Sequence, residues 1–278
     1  MPTDERPKTG KLNGRLWGAR AHDWAELQEP MTRPIYDSVF ERINIGTQTN
    51  YLDVGCGSGL AAQLANERGA KVSGIDAAEN LLAIARSRIP GGQFRVADLE
   101  ELPFADNTFD VVTGFNSFQY AANPDAALAQ AKRVAKSAGA VVIVTWGKPE
   151  GMQFATFMSA LKSLLPPPPS GTPGPFALSD EHALREFATK VGLEPMEVLD
   201  VDAPFHYAEL STALRGLMSS GNAIRAAEFS SDDAVRKAYT DALEQFRQSD
   251  GSYRIGCLSL PVYSSTNVSF GDNNPRCS

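Results

Sequence analysis

Residues 51–59 read Tyr51-Leu52-Asp53-Val54-Gly55-Cys56-Gly57-Ser58-Gly59, and Leu60 to Arg68 follow with helical spacing. An apolar run, a glycine turn and a periodic segment imply a buried strand, a tight loop and a helix start. Glycine carries no Cβ, so the chain can turn sharply and a ligand can lie against the backbone. The first amides of the helix have no partner within it and point toward that ligand. This arrangement predicts a nucleotide-like cofactor.

The glycine spacing narrows the choice of cofactor. The dinucleotide fingerprint G-x-G-x-x-G would need a glycine where Leu60 stands. Asp53 lies two residues before Gly55. An anion there suits a ligand that carries positive charge better than a pyrophosphate. The match Asp53-x-Gly55-x-Gly57-x-Gly59 resembles the first motif of the class I S-adenosylmethionine (SAM)-dependent methyltransferases. SAM has an ammonium, a sulfonium and an adenosine, and no phosphate.

The chain beyond this loop is read against the same pattern. Lys71 to Asp76 is a second strand ending in an acid, 19 residues after Gly57. A carboxylate there can accept both hydroxyls of a ribose; the alternative is a helix N-cap for Ala77 to Arg88. Gln93 to Val96 is a third strand that runs into Asp98 and Leu99. The resemblance gives Asp98 the adenine amino group and Leu99 the adenine face; a plain turn is the alternative. Leu102-Pro103-Phe104, then Phe109-Asp110-Val111-Val112, extends the resemblance into a fourth strand. Beyond that strand, Asn116 and Gln119 are hydrogen-bonding groups placed to touch cofactor or substrate, with loop-to-helix capping as the alternative. The cofactor set implied by the resemblance is Asp53, Gly55, Cys56, Gly57, Gly59, Asp76, Ala77, Asp98, Leu99, Asn116 and Gln119.

The expected fold is α/β, a Rossmann-like doubly wound sheet of seven strands, mostly parallel with an antiparallel seventh. A helical N-terminal cap is expected over residues 1–48, with residues 1 to about 12 loose. It holds a helix from Leu16 that puts Trp17, Ala21 and Trp24 on one face, and a second over Arg33 to Ile43. The SAM-binding core spans 49–150, with a helix over Pro124 to Lys136 and a fifth strand over Ala140 to Trp146. Residues 151–262 complete the core and carry a helical substrate lid, followed by a disordered tail over 263–278. In that half, Phe154 to Leu165 is a helix and the proline-rich run 166–175 a stiff loop. A further helix covers Asp180 to Val191, and a sixth strand covers Met196 to Val201. Helices fill Ala208 to Arg247, broken at Ser219-Ser220-Gly221 and Ser230-Ser231-Asp232. The seventh strand is read at Tyr253 to Val262.

Composition sets outer bounds. The chain has 278 residues, of which 42% are hydrophobic and 21% charged, an ordinary globular balance. A net charge of −7 argues against a general nucleic-acid or anionic-membrane partner. No apolar run is long enough for a membrane span, and the polar N-terminus does not read as a signal peptide. Cys56, Cys257 and Cys277 have neither metal nor disulfide spacing, so no metal is expected and the cytoplasm is the expected location.

Phe176-Ala177-Leu178-Ser179, Ala213-Leu214-Arg215-Gly216-Leu217 and Asp250-Gly251-Ser252-Tyr253-Arg254 resemble the type 11 small-molecule branch, related to ubiquinone and menaquinone methylases. That wider resemblance covers residues 14 to 255. It implies methyl transfer by in-line displacement to an apolar or aromatic small molecule, with oxygen as the first choice of acceptor atom. Such transfer needs the acceptor held in line and water excluded, and no particular catalytic residue. Tyr36, Trp146, His206 and Tyr207 are weaker acceptor-side candidates, with structural packing as the alternative. A non-catalytic SAM-binding protein and a nicotinamide oxidoreductase are the rival readings.

Overall fold

Near-continuous burial along the first strands, on both faces of the sheet, determines the layering. The computed structural model describes residues 8–167 and 176–266. β1 (Asn50–Val54), β2 (Lys71–Asp76), β3 (Gln93–Val96), β4 (Phe109–Phe115) and β5 (Ala135–Trp146) pair in parallel. β6 (Glu194–Val198), the short β7 (Val201–Asp202), β8 (Phe205–Tyr207), β9 (Tyr253–Ile255) and β10 (Leu258–Ser265) follow. The main sheet runs β3-β2-β1-β4-β5-β10-β6, with β10 antiparallel to β5, β6 and β7. This is the expected Rossmann-like, mostly parallel sheet with one antiparallel strand.

The cap holds α1 (Gly10–Gly18), α2 (Ala21–Asp23) and α3 (Arg33–Ile43). Around the sheet lie α4 (Leu60–Glu67), α5 (Glu79–Arg88) and α6 (Pro124–Val134), and later α8 (Glu181–Lys190), whereas α7 (Ala155–Ala160) packs with the helices that follow. On one face Tyr51, Val142 and Val144 pack with Phe40 of α3, Leu64 of α4 and Leu82 of α5. On the other, Leu52, Val54 and Val112 pack with Leu128 of α6 and Leu184 and Phe187 of α8. Neighbouring strand residues point to opposite faces, so one strand feeds two cores.

The helices expected to form a lid have their own core, and none of their residues borders the cavity described below. α9 (Leu210–Met218), α10 (Gly221–Phe229) and α11 (Asp232–Leu243) surround that core, with α10 capped by Ser220 and α11 by Ser231 at the expected breaks. Phe157, Phe205, Leu214, Val235, Tyr239 and Phe246 fill it. β8 and β9 pair antiparallel as a separate two-stranded sheet within this unit.

Several expected boundaries are corrected. α1 begins at Gly10 rather than Leu16 and breaks at Arg20, so Trp17 and Trp24 belong to different helical pieces. They still meet edge to face, with ring centroids 5.0 Å apart. β5 starts directly after α6, and its register jumps from Ala135 opposite Phe109 to Ala140 opposite Val111. The expected turn at Ser137 to Gly139 is thus a bulge inside a longer strand. The helix after β5 ends earlier than expected, with α7 stopping at Ala160 and a 3-10 turn over Lys162–Leu164. The sixth strand is divided into β6 and β7.

The expected final strand is also divided: Tyr253–Ile255 pairs with the lid, and Leu258–Ser265 enters the main sheet. That second piece runs three residues into the segment expected to be a tail. Residues 267–278 of that tail, residues 1–7 and residues 168–175 of the proline-rich loop lie outside the described residues. Among the described residues, Cys56 and Cys257 are free and buried, and no helix is long and apolar enough to cross a membrane.

Candidate cofactor and acceptor site

The carboxyl ends of β1, β2, β4 and β5 face a single cavity, where α/β sheets bind ligands. Gly55 and Gly57 border it on the β1 side, and Asp76 and Ala77 at the end of β2. Asp98 and Leu99 follow β3, Asn116 follows β4, and Trp146 ends β5. Trp17, Trp24 and Tyr36 of the cap close the remaining side. The cavity therefore lies between the sheet and the cap, and aromatic rings stand among its polar groups: Trp17 and Trp24 pack with Ala78 and Leu81, just past Asp76.

Asp76 ties two strand ends together. Its Oδ2 accepts the Gly57 amide at 2.9 Å, and its Oδ1 accepts the Ala78 amide at 2.8 Å. Asp76 borders the cavity, while the expected N-cap role is corrected: the helix begins at Glu79 with Ala78 as its N-cap, and Asp76 bonds the Ala78 amide just ahead of it. Burial raises the Asp76 carboxyl above its ordinary range, and these amides pull it back. Asp98 Oδ1 accepts the Glu100 amide at 2.9 Å, a local turn, while the residue borders the same cavity. Asn116 holds a left-handed backbone (φ 49°), which asparagine tolerates better than most residues. Its side-chain oxygen accepts from Gln119 at 3.3 Å.

Asp53 lies below this surface. It is 1% exposed and accepts from Thr113 at 3.0 Å. The Thr113 hydroxyl also pairs with Tyr51 Oη at 2.6 Å. Burial pushes the Asp53 carboxyl up to about 7; the Thr113 hydrogen bond opposes this, and the nearby acids Glu29 and Asp76 add to it. Asp53, Cys56, Gly59 and Gln119 do not border the cavity. Gly59 serves packing, because a Cβ there would stand 2.8 Å from that of Ala85 on α5, at φ +84°. His206 is exposed on β8, and Tyr207 is buried in the lid with its hydroxyl donating to Gln28 at 2.8 Å. Neither borders the cavity.

The cap is docked closely. A Cβ on Gly14 would stand 2.2 Å from the Ala77 carbonyl oxygen, so α1 lies directly on the end of β2. Thr9 Oγ1 and Asn13 Nδ2 both donate to the Tyr120 carbonyl, at 2.8 and 3.0 Å. Arg20 bonds Asp232 and Arg215 bonds Asp23, which joins the cap to α11 and α9 of the lid.

The sequence reading missed Glu29, which the cap inserts beneath the glycine loop. Its side chain is 3% exposed. Oε2 accepts from Ser58 Oγ at 2.5 Å and from the Arg88 guanidinium, and Oε1 accepts the Leu60 amide at 3.3 Å. Arg88 also donates to the carbonyls of Ser58 and Ala25. Burial raises the Glu29 carboxyl, while Arg88, Ser58 and the Leu60 amide lower it. These partners are 29 to 59 residues away, so no local sequence pattern carries the signal. Thr9, Asn13 and Ser117 also border the cavity and have no sequence signature of their own.

The residues present fit SAM. Two buried polar atoms at the cavity, Trp24 Nε1 and Ser117 Oγ, lack any partner among the described residues. Each can donate a hydrogen bond to a ligand carboxylate or hydroxyl. Asp76 and Asp98 supply acceptors for an adenosine. Among the described residues no Lys, Arg or His borders the cavity, so a pyrophosphate would find no cation there.

Comparison with known proteins points to methyltransferases. Residues 52–143 match the family model described as Methyltransferase domain. The chain is 34% identical over 126 residues to the Methyltransferase GfsG of Streptomyces halstedii, covering 43% of this chain and 44% of that one. It is 29% identical over 195 residues to the Ubiquinone biosynthesis O-methyltransferase of Dechloromonas aromatica (strain RCB), covering 66% and 83%. Among solved structures, the [4+2]-cyclase SpnF matches with a TM-score of 0.55 at 20% identity, covering 84% and 81%, a likeness of fold. The chain spans less than half the length of the first curated relatives it matches, 44% of one and 37% of another.

Proposed function

From the premise that residues 52–143 form a class I, SAM-dependent methyltransferase domain of type 11, we propose that the protein methylates a small, largely apolar or aromatic molecule, on oxygen, by in-line displacement. The observation that carries this reading is the lining of the cavity: Asp76 and Asp98 offer acceptors to an adenosine, and Trp17, Trp24, Tyr36 and Trp146 make much of the remaining wall aromatic. Relatives named for O-methylation support oxygen as the acceptor atom.

When bound, SAM supplies a methyl group already activated on a sulfonium. The residues then have three tasks. Asp76 and Asp98 bind the adenosine end, with Asp76 keeping a lone pair on each oxygen beyond the amides it already accepts. Gly55 and Gly57 take left-handed turns (φ +81° and +55°) that carry the backbone along the cavity wall, with Ser117 packed where a Gly55 side chain would stand. The aromatic wall of cap and strand ends excludes water and confines the acceptor, which is how transfer of this kind is accelerated. We assign Asn116 and Tyr36 to the wall shared by cofactor and acceptor.

The test is incubation of the purified protein with methyl-labelled SAM and a panel of hydroxyl- and carboxyl-bearing aromatic and acyl compounds. Label in an extracted small molecule supports the proposal. Cofactor binding with no transfer to any acceptor class, including amines and carbon acids, points to a binding protein.

A further inference from the structure

The N-terminus of α4 follows the glycine loop at the place where dinucleotide folds receive a pyrophosphate. In this chain the position is filled from within. Glu29 comes from the cap, is buried, and takes the Leu60 amide, the Ser58 hydroxyl and the Arg88 guanidinium together. These three donors are the set that a phosphate would use: a helix-start amide, a hydroxyl and a guanidinium. Gly57 lies beside them, since a Cβ there would be 3.5 Å from Glu29 Oε1. Arg88 reaches back to the Ala25 carbonyl as well, so the same group holds the cap to the loop.

We propose that Glu29 is a specificity-determining and positioning residue: its carboxylate stands in for a ligand phosphate at the start of α4, makes the glycine loop selective for a phosphate-free adenosine cofactor, and fixes the cap over that cofactor. The proposal rests on the cofactor reading above. A phosphate-bearing nucleotide approaching this loop meets a buried anion and finds its donors taken. SAM, which has no phosphate, loses nothing. With the carboxylate removed, Arg88, Ser58 and the Leu60 amide remain as an anion site.

The experiment compares wild type, Glu29→Gln and Glu29→Ala by calorimetric titration with S-adenosylhomocysteine and with ADP. Thermal unfolding in rising inorganic phosphate is the second readout. Wild type should bind S-adenosylhomocysteine, bind ADP weakly and be indifferent to phosphate. Glu29→Ala should bind ADP tighter by about ten-fold or more and be stabilised by phosphate, with Glu29→Gln intermediate. A general loss of packing would weaken both ligands and give no phosphate response. Should Glu29→Ala be recovered folded only with phosphate present, the proposal stands. It is overturned if the folded variants bind ADP no better than wild type and ignore phosphate, or if phosphate rescues neither variant from misfolding. If wild type binds no S-adenosylhomocysteine while Glu29→Ala still gains phosphate stabilisation, the cofactor reading fails and the anion position of Glu29 survives.

Discussion

Asp76 Oδ2 accepts the Gly57 amide hydrogen at 2.9 Å, across 19 residues of sequence. The carboxylate that ends β2 therefore holds the glycine loop that ends β1, and it does so from the wall of the cavity. Replacing it acts on both the loop and the ligand. Asp76→Asn keeps one acceptor oxygen and should weaken S-adenosylhomocysteine binding by about ten-fold; Asp76→Ala should cost more, within roughly 1–3 kcal/mol. Calorimetry on folded protein checks this, and unchanged affinity in both variants would remove Asp76 from the cofactor site.

Gly14 has no space for a side chain, because the nearest atom is the Ala77 carbonyl oxygen, which belongs to the backbone. Gly14→Val should lift α1 from the end of β2 and loosen the hydrogen bonds from Thr9 and Asn13 to Tyr120. We expect a stability loss of about 1–3 kcal/mol and faster release of S-adenosylhomocysteine. Trp17 and Trp24 border the cavity, so stopped-flow tryptophan fluorescence reads the release rate. An unchanged rate would mean that α1 does not cover the bound cofactor.

Asp53 gives a pH dependence whose sign follows from burial. Its carboxyl titrates at about 7 in the folded chain, against about 4 when unfolded. Between these values the folded state holds a proton that the unfolded state has released. Its contribution to stability is therefore greatest below about pH 4 and is lost as the pH rises toward 7. Asp53→Asn keeps an oxygen acceptor for Thr113 and removes this term. Urea unfolding at pH 5 and pH 8 should show wild type losing more stability than the variant, on the order of 2–4 kcal/mol. Equal losses in the two proteins would contradict the buried-acid account.

His206 is exposed on β8 and stands outside the cavity border. Loss of a general base lowers a rate by about 10²–10⁴-fold, whereas His206→Gln should leave methyl transfer within about two-fold of wild type. A fall of the larger size would return His206 to the acceptor site.

What the sequence made legible was local. The strands Lys71–Asp76 and Gln93–Val96 and the helix Arg33–Ile43 follow from apolar spacing bounded by turn residues. The lid helices were bounded by serine caps at Ser220 and Ser231, also readable in the chain. What escaped was long-range. Phe205–Tyr207 becomes a strand only because Tyr253–Ile255, far along the chain, pairs with it. Glu29 acquires its place from Ser58, Leu60 and Arg88, and nothing near it in sequence marks it. Asp53 shows the converse: its motif spacing is plain, yet its side chain turns to Thr113 beneath the cavity.

The most direct measurement is calorimetric titration of the purified chain with S-adenosylhomocysteine, with NAD as the control. Binding of the first with a Kd of about micromolar and no heat from the second is the expected result. Binding of NAD with no response to S-adenosylhomocysteine would contradict the account at its centre, the reading of Asp53-x-Gly55-x-Gly57-x-Gly59.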